Sequence, residues 1–284
     1  MNSQSIKDRL KNIARDNNRL YQEVLTVFAL ERTIYRISIS EYRENFTLKG
    51  GIFLYALYEK NYPRSTADID LMAEKINGSE NSMRTVFSEI FSISCDDGIE
   101  YDYKSLAIKK ITKLDEYQGV NVSIKASLGN IRIPVSIDIG FGDVIVPERT
   151  EIDFPVLLDL EVPHVYSYSI ESTLAEKFEA IVSLGLANSR YKDFYDIYVI
   201  LRDRGVDKGI LRQALVQTFS NRKTSFDDIV IFEDSFMLDE ERQKRWVAFT
   251  KKKSALVQVS FETVVSSIRD FFAPIIREIK EGKI

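Results

Sequence analysis

The chain contains one cysteine, Cys95, and one histidine, His164, in 284 residues. A single cysteine makes no internal disulfide, and one Cys with one His falls short of the ligands needed for a structural zinc site or an iron–sulfur cluster. A Ser-His or Cys-His nucleophilic centre would have to pass through His164, which lies in Glu161-Val162-Pro163-His164-Val165-Tyr166, a stretch patterned like the start of a strand. Long apolar runs are missing as well. None approaches the roughly 18 residues of a spanning helix, and Met1-Asn2-Ser3-Gln4-Ser5-Ile6-Lys7-Asp8 has no apolar signal core. The expectation is a cytoplasmic protein without membrane contact. Nor does one charge sign dominate: 39 Lys and Arg against 43 Asp and Glu leave −4, so the molecule as a whole is not a polycation built to coat nucleic acid. The chemistry left open rests on carboxylates, lysines and arginines.

What is present is globular in composition, 44% hydrophobic and 29% charged. At about 150 residues per domain the length corresponds to roughly two domains. Ile6, Leu10, Ile13, Leu20, Val24, Phe28 and Ile34 recur at near-helical spacing, and Asn17-Asn18 interrupts them, which predicts two helices over 5–40. Phe46-Thr47-Leu48 is a short β-prone run ending at Gly50-Gly51, followed by a helix over 52–59 that stops before Pro63. Ala67-Asp68-Ile69-Asp70-Leu71-Met72 reads as a strand, and 83–94 as a helix. Between 100 and 140 the period changes to two, through Gly119-Val120-Asn121-Val122-Ser123-Ile124-Lys125-Ala126 and then Ile131, Ile133, Val135, Ile137 and Ile139, predicting antiparallel strands with one solvated face. Beyond a boundary near 165 the pattern is helical, over 171–185, 191–204, 207–219, 239–253 and 260–281, the last containing Pro274. The fold class expected is α+β: a mixed β-sheet with flanking helices over 1–165, then a helical half over 166–284.

Two clusters carry chemistry. In the first, Leu48-Lys49-Gly50-Gly51 is followed, seventeen residues after Gly51, by Asp68-Ile69-Asp70. Residues two apart on a strand share a face, so the two carboxylates converge. Like charges that close repel unless a cation or proton lies between them, and oxygen-only ligands select a hard metal such as magnesium. Backbone N–H groups of a Gly-Gly turn opening a helix can approach a phosphate unobstructed. Asp138, in Val135-Ser136-Ile137-Asp138-Ile139-Gly140, shares the parity of Ser136 and opposes Ile137 and Ile139. If its strand lies beside that of Asp68, it completes a three-acid site able to hold two metals for in-line phosphoryl or nucleotidyl displacement. Otherwise it is a charge that protects a sheet edge.

The second cluster is helical: Leu174-Ala175-Glu176-Lys177-Phe178-Glu179-Ala180, then Arg190-Tyr191-Lys192-Asp193-Phe194-Tyr195-Asp196-Ile197-Tyr198. Arg190, Asp193 and Asp196 fall on one helix face. Phe194, Tyr195, Ile197 and Tyr198 around them argue against a fully solvated ion-pair face. A lysine such as Lys177, aimed at a cleft, is a point charge suited to triphosphate.

With both clusters in view, the chain over about 46–204 resembles the AbiEii/AbiGii-type nucleotidyltransferase toxins, within the polymerase-beta-like nucleotidyltransferase superfamily. The resemblance is carried by Leu48-Lys49-Gly50-Gly51, Arg64-Ser65-Thr66-Ala67-Asp68-Ile69-Asp70-Leu71, Glu176-Lys177 and Lys192-Asp193-Phe194-Tyr195-Asp196-Ile197-Tyr198, in that order. It implies a nucleotidyltransferase-like fold and metal ligation by Asp68 and Asp70, with Asp138 as third ligand. It further implies nucleotide contact by Gly50, Gly51 and Lys177, joined by Thr66 and Asp193, and a catalytic role within the Asp193/Asp196 pair, where Asp196 is favoured. Lys177 and Asp196 would be contributed to the cleft by the helical half. The implied reaction is Mg2+-dependent transfer of a nucleoside monophosphate from an NTP to an acceptor hydroxyl. Such toxins are paired with an antitoxin, and some relatives modify the acceptor end of tRNA. Arg242, Lys244, Arg245, Lys251, Lys252 and Lys253, interleaved with Trp246 and Phe249, are compatible with an RNA acceptor, although such a segment is more often a solvated helix face whose aromatics lie in the core. Transfer to a protein or small-molecule hydroxyl, and a catalytically silent binding module of the same fold, are the alternatives.

Overall fold

The computed structural model describes residues 2–61, 65–113, 117–251 and 258–282, without the side chains of 112, 113, 117 and 118. Of the residues singled out above, Met1, Pro63, Arg64, Lys252 and Lys253 lie outside the described residues. The chain divides into two compact units, Met1–Gly142 with Thr150–Tyr168, and Asp143–Arg149 with Ser169–Ile284.

The first unit begins with two helices, α1 (Ser3–Asp16) and α2 (Tyr21–Ile39). Asn17 caps α1 and Asn18 adopts a positive φ, which is why the apolar period breaks there. Ile6, Leu10, Val24, Phe28 and Ile34 are buried as their spacing predicts, but Leu20 is 70% exposed. It is the N-cap of α2, with extended backbone, so its side chain leaves the helical stripe. Then follow β1 (Phe46–Lys49), α3 (Gly50–Leu57), β2 (Ile69–Ala73), α4 (Glu80–Ser92), β3 (Ile99–Lys113), β4 (Tyr117–Leu128), β5 (Ile131–Phe141), β6 (Thr150–Asp153) and β7 (His164–Ser167). The seven strands form one mixed sheet in the order β3-β4-β5-β2-β1-β7-β6. β3, β4 and β5 are antiparallel neighbours, whereas β2 runs parallel to β5 and β1 parallel to β7.

Alternation decides which face of this sheet is dry. Ile133, Val135, Ile137 and Ile139 of β5 join the buried core that also takes Phe28 and Ile34 of α2 and Phe87 and Ile90 of α4. Each such side chain contributes roughly 1.5–3 kcal/mol by leaving water. Ser136 and Asp138, of opposite parity, are half-buried on the other face. Arg36 anchors α2 to the turn before β3, gripping Asp97 at 2.6 and 3.1 Å and reaching the carbonyls of Arg32, Ile93 and Ile99.

Glu31 is a costlier buried group. It is fully buried beside Arg32, with charged atoms 3.0 Å apart, and accepts the Leu157 N–H at 2.7 Å. Burial pushes its carboxyl up to about 7, against the pull of Arg32. Because the folded value lies above the unfolded one, its contribution to stability is fully present below about 4.5 and is lost as pH rises through about 7. Glu31→Gln keeps an acceptor for Leu157 and removes the titration. Its melting temperature should gain on the wild type as the buffer goes from about pH 5 to about pH 8, and parallel curves for the two proteins would refute this assignment.

The second unit is helical: α5 (Ile170–Leu184), α6 (Tyr191–Asp203), α7 (Lys208–Asn221), α8 (Asp234–Met237), α9 (Glu240–Lys251) and α10 (Phe261–Lys280), the last continuing through Pro274. Phe178 of α5 stacks on Phe272 of α10 at 4.1 Å between ring centroids. Asp207 and Ser260 cap α7 and α10 through their side chains. Segment 143–149 is tied in where Ser169 and Ser172 donate to the Val146 carbonyl at 2.8 and 2.9 Å. Arg222 extends the tie, reaching Asp143 at 2.9 Å, Glu179 at 2.8 Å and Glu176 at 3.4 Å. Burial works against its charge, but these three carboxylates raise its pKa above the usual arginine value. Among the described residues, no helix is long and apolar enough to cross a membrane.

Candidate active site

The acidic site forms where three strands meet in register. β1 pairs Lys49 with Asp70, and parallel β2 and β5 pair Asp70 with Asp138. Paired residues on neighbouring strands, about 4.8 Å apart, project to the same face. One carboxylate oxygen each from Asp68, Asp70 and Asp138 therefore lies within 4.8 Å of the others, on half-buried side chains. The adjacency on which the third acid depends is thus present. Asp68 itself sits just outside the strand, which begins at Ile69 and not at residue 67. The Thr66 hydroxyl donates to the Asp68 carbonyl at 3.2 Å and to its carboxylate at 3.4 Å, engaging locally a carbonyl that would otherwise extend the ladder.

The Gly-Gly turn has a structural part in holding the acids. Gly50 opens α3 with φ +65°, and a Cβ there would stand 2.0 Å from Asp70 Oδ2. The Gly51 N–H points at the same oxygen, 3.4 Å away. Gly50→Ala combines a left-handed conformation costing roughly 1–2 kcal/mol with displacement of Asp70. Its expected result is a lower melting temperature together with weakened binding of Mn2+ as a probe of the triad. Unchanged Mn2+ affinity would remove Gly50 from the support of this site.

The second predicted group is a buried ion network in the helical unit. Lys177 Nζ donates to Asp193 Oδ1 at 2.9 Å and to Asp196 Oδ2 at 2.7 Å, and Arg190 Nε donates to Asp193 Oδ2 at 2.6 Å. Both aspartate side chains are 0% exposed and Lys177 is 10% exposed. Burial by itself would raise the Asp193 carboxyl, but Lys177 and Arg190 outweigh it and hold the group below the usual aspartate range. Two of the three ammonium protons of Lys177 are committed to these carboxylates. Glu176, its neighbour in the sequence motif, turns to Arg222 instead.

Two further findings concern residues read differently from the sequence. Trp246 is 1% exposed and its Nε1–H goes to the Val259 carbonyl at 2.7 Å. Arg242 lies 4.1 Å over the Phe236 ring and bonds the Asn188 and Leu186 carbonyls. Of the two readings of this basic segment, the one with its tryptophan in the core holds, and Trp246 offers no face to a base. Asn121, which sequence reasoning treated only as a polar position in an alternating strand, pairs in register with Asp138 and donates to it at 2.7 Å. Its signal in the sequence was faint. A carboxamide on the solvated parity of a strand is meaningful only once the partner strand's register is known.

A metal fits these donors. Three converging carboxylates, with no nitrogen or sulfur ligand among the described residues, suit a hard cation, Mg2+ or Mn2+, and Gly50 clears the space beside Asp70.

The fold, a mixed sheet with flanking helices, is shared with solved proteins. JHP933 from Helicobacter pylori, a crystal structure, matches 92% of this chain and 95% of its own at TM-score 0.50 and 14% identity. A putative nucleotidyltransferase from H. pylori, also a crystal structure, matches 89% of this chain and 94% of its own, again at TM-score 0.50 and 14% identity. At that identity the likeness concerns the fold alone. The family model for the nucleotidyl transferase AbiEii toxin of Type IV toxin–antitoxin systems matches residues 32–267. This chain belongs to that family, which implies an antitoxin partner. No protein with a curated description matches it.

Proposed function

We propose that the protein is a magnesium-dependent nucleotidyltransferase, acting in the cytoplasm as the toxin of a toxin–antitoxin pair, that transfers a nucleoside monophosphate from an NTP to an RNA hydroxyl, with tRNA as the acceptor. The observation that carries this reading is the in-register pairing of Asp70 with Asp138, which with Asp68 brings three carboxylate oxygens within 4.8 Å of one another.

Asp68, Asp70 and Asp138 would hold the cation. Bound there, magnesium would supply charge neutralisation on the triphosphate for in-line displacement. The acceptor oxygen bonds to the α-phosphorus as the bond from that phosphorus to the bridging oxygen breaks. Pyrophosphate leaves, and the hydroxyl proton passes to a carboxylate of the triad. Backbone at Gly50 and Gly51, the Thr66 hydroxyl and Lys177 are assigned to nucleotide contact, with Asp193 orienting Lys177 and Asp196 as the catalytic acid of the helical unit. Their support is the order of motifs in the sequence and, for Lys177, Asp193 and Asp196, the buried network in which the lysine bonds both carboxylates.

The test is incubation of the purified protein with each α-labelled NTP, Mg2+ and total RNA. Label in tRNA is the expected result. Label confined to protein or small molecules would redirect the acceptor, and no label with any nucleotide or acceptor would overturn the enzymatic reading in favour of a binding module.

A further inference from the structure

Asn121 lies outside the acidic triad yet holds one of its members. Register places Lys109, Asn121, Asp138, Asp70 and Lys49 side by side across β3, β4, β5, β2 and β1, so the side chains of this row share the sheet face opposite the core. The Asn121 carboxamide nitrogen donates to Asp138 Oδ1 at 2.7 Å and to Ser136 Oγ at 2.8 Å. An amide nitrogen has two protons, and here each is directed to a different residue of the same neighbouring strand. Ser136 and Asp138 are two apart on β5 and therefore on one face, so Asn121 bridges them from β4.

We infer that Asn121 is the positioning residue of the metal site: it fixes the plane of the Asp138 carboxylate by engaging one oxygen and leaves the other for the cation. The inference rests on the metal-site reading above and extends it to a residue that ligates nothing. Three features of the arrangement bear on it. A hydrogen bond to a carboxylate is short and directional, so it selects one rotamer of Asp138. The donor is neutral, so it withdraws charge density from the crowded triad without competing with a cation, as a lysine would. A carboxylate only accepts, so Asp138 keeps the carboxamide nitrogen rather than its oxygen turned toward it, and the Ser136 hydroxyl takes the second amide proton. Partners of this kind change metal affinity by about 10- to 100-fold in other sites.

The experiment is Mn2+ titration of the full chain, without nucleotide, followed by the EPR signal of free Mn2+. Wild type, Asp138→Ala, Asn121→Ala, Asn121→Ser and Ser123→Ala are compared, with melting temperatures in chelator recorded alongside. Asn121→Ala should weaken Mn2+ binding about tenfold while its melting temperature in chelator stays close to wild type. Asn121→Ser, whose shorter hydroxyl does not span to Asp138, should show the same loss and serves if the alanine variant folds poorly. Ser123→Ala, on the same face as Asn121 but outside its bonds to Asp138 and Ser136, should bind as wild type. If Asp138→Ala loses Mn2+ and both Asn121 variants retain wild-type affinity, the positioning role is overturned and the metal site stands. If the wild type itself binds no Mn2+, the metal-site reading falls, and this inference with it.

Discussion

Asp70→Asn is expected to lower nucleotidyl transfer by about a thousandfold or more, a loss of about 4 kcal/mol in transition-state stabilisation, and to relieve growth inhibition in cells expressing the protein. Asp70 occupies the middle of the site, paired with Lys49 on one side and Asp138 on the other. The amide keeps its shape, and its carbonyl oxygen can still accept the Gly51 N–H. What it removes is one negative charge from three crowded carboxylates. A second, opposite effect follows from the same physics. Without metal those carboxylates repel, so the variant should melt at a higher temperature than wild type in chelator, the usual trade between stability and a charged functional site. The two measurements together discriminate well: a drop in activity accompanied by unfolding would indicate damage to the fold, and transfer within about fivefold of wild type would exclude Asp70 from the reaction.

The second large effect is predicted for Lys177→Met, which leaves Asp193 and Asp196, both fully buried, without the ammonium between them. Breaking one partner out of a buried ion network typically costs about 3–5 kcal/mol, because the remaining charges lose compensation where water does not reach them. The pH dependence identifies the cause. In the wild type the Asp193 carboxyl is held below its ordinary value, so its contribution to stability is present above the unfolded pKa and is lost as pH falls through the folded one. In the variant, burial and the neighbouring Asp196 would dominate over Arg190 and push the pair upward. Its stability deficit should then grow as pH rises from about 5 to about 8, as the acids are forced to ionise in place. Thermal melts across that range check the prediction. A deficit independent of pH would point to lost packing of the lysine stem instead, and addition of Asp196→Asn to the variant should recover part of the loss.

Much of the secondary structure was legible because its signals are local. The break at Asn17-Asn18 separates α1 from α2, and the change of period near residue 100 marks β3 to β5, since backbone geometry imposes 3.6 or 2 residues on whatever side chains are present. The shared face of Asp193 and Asp196 is of the same kind, whereas Asp68, just before β2, and Arg190, the N-cap of α6, join their groups from outside the regular elements. Leu20 fits the apolar stripe and is nevertheless exposed, because a cap residue has left the helical conformation on which the stripe depends. Trp246 and the basic residues beside it carried two meanings in sequence, and burial against Val259 and Phe261 selected one.

By itself the sequence determined the elements, the closeness of two acids at the start of β2 and the kinds of chemistry open to a chain so poor in cysteine and histidine. Only the tertiary structure decided that Asp138 joins those acids, that Gly50 is a clearance for Asp70, that Asn121 reaches Asp138, and that Lys177 lies between Asp193 and Asp196. Each of those facts is a relation between distant segments. The parallel register of β2 with β5 is set by burying Ile69 and Leu71 beside Ile137 and Ile139, and a slip of one residue would turn Asp138 to the opposite face. That choice depends on how two apolar faces pack, which no periodicity within either strand records.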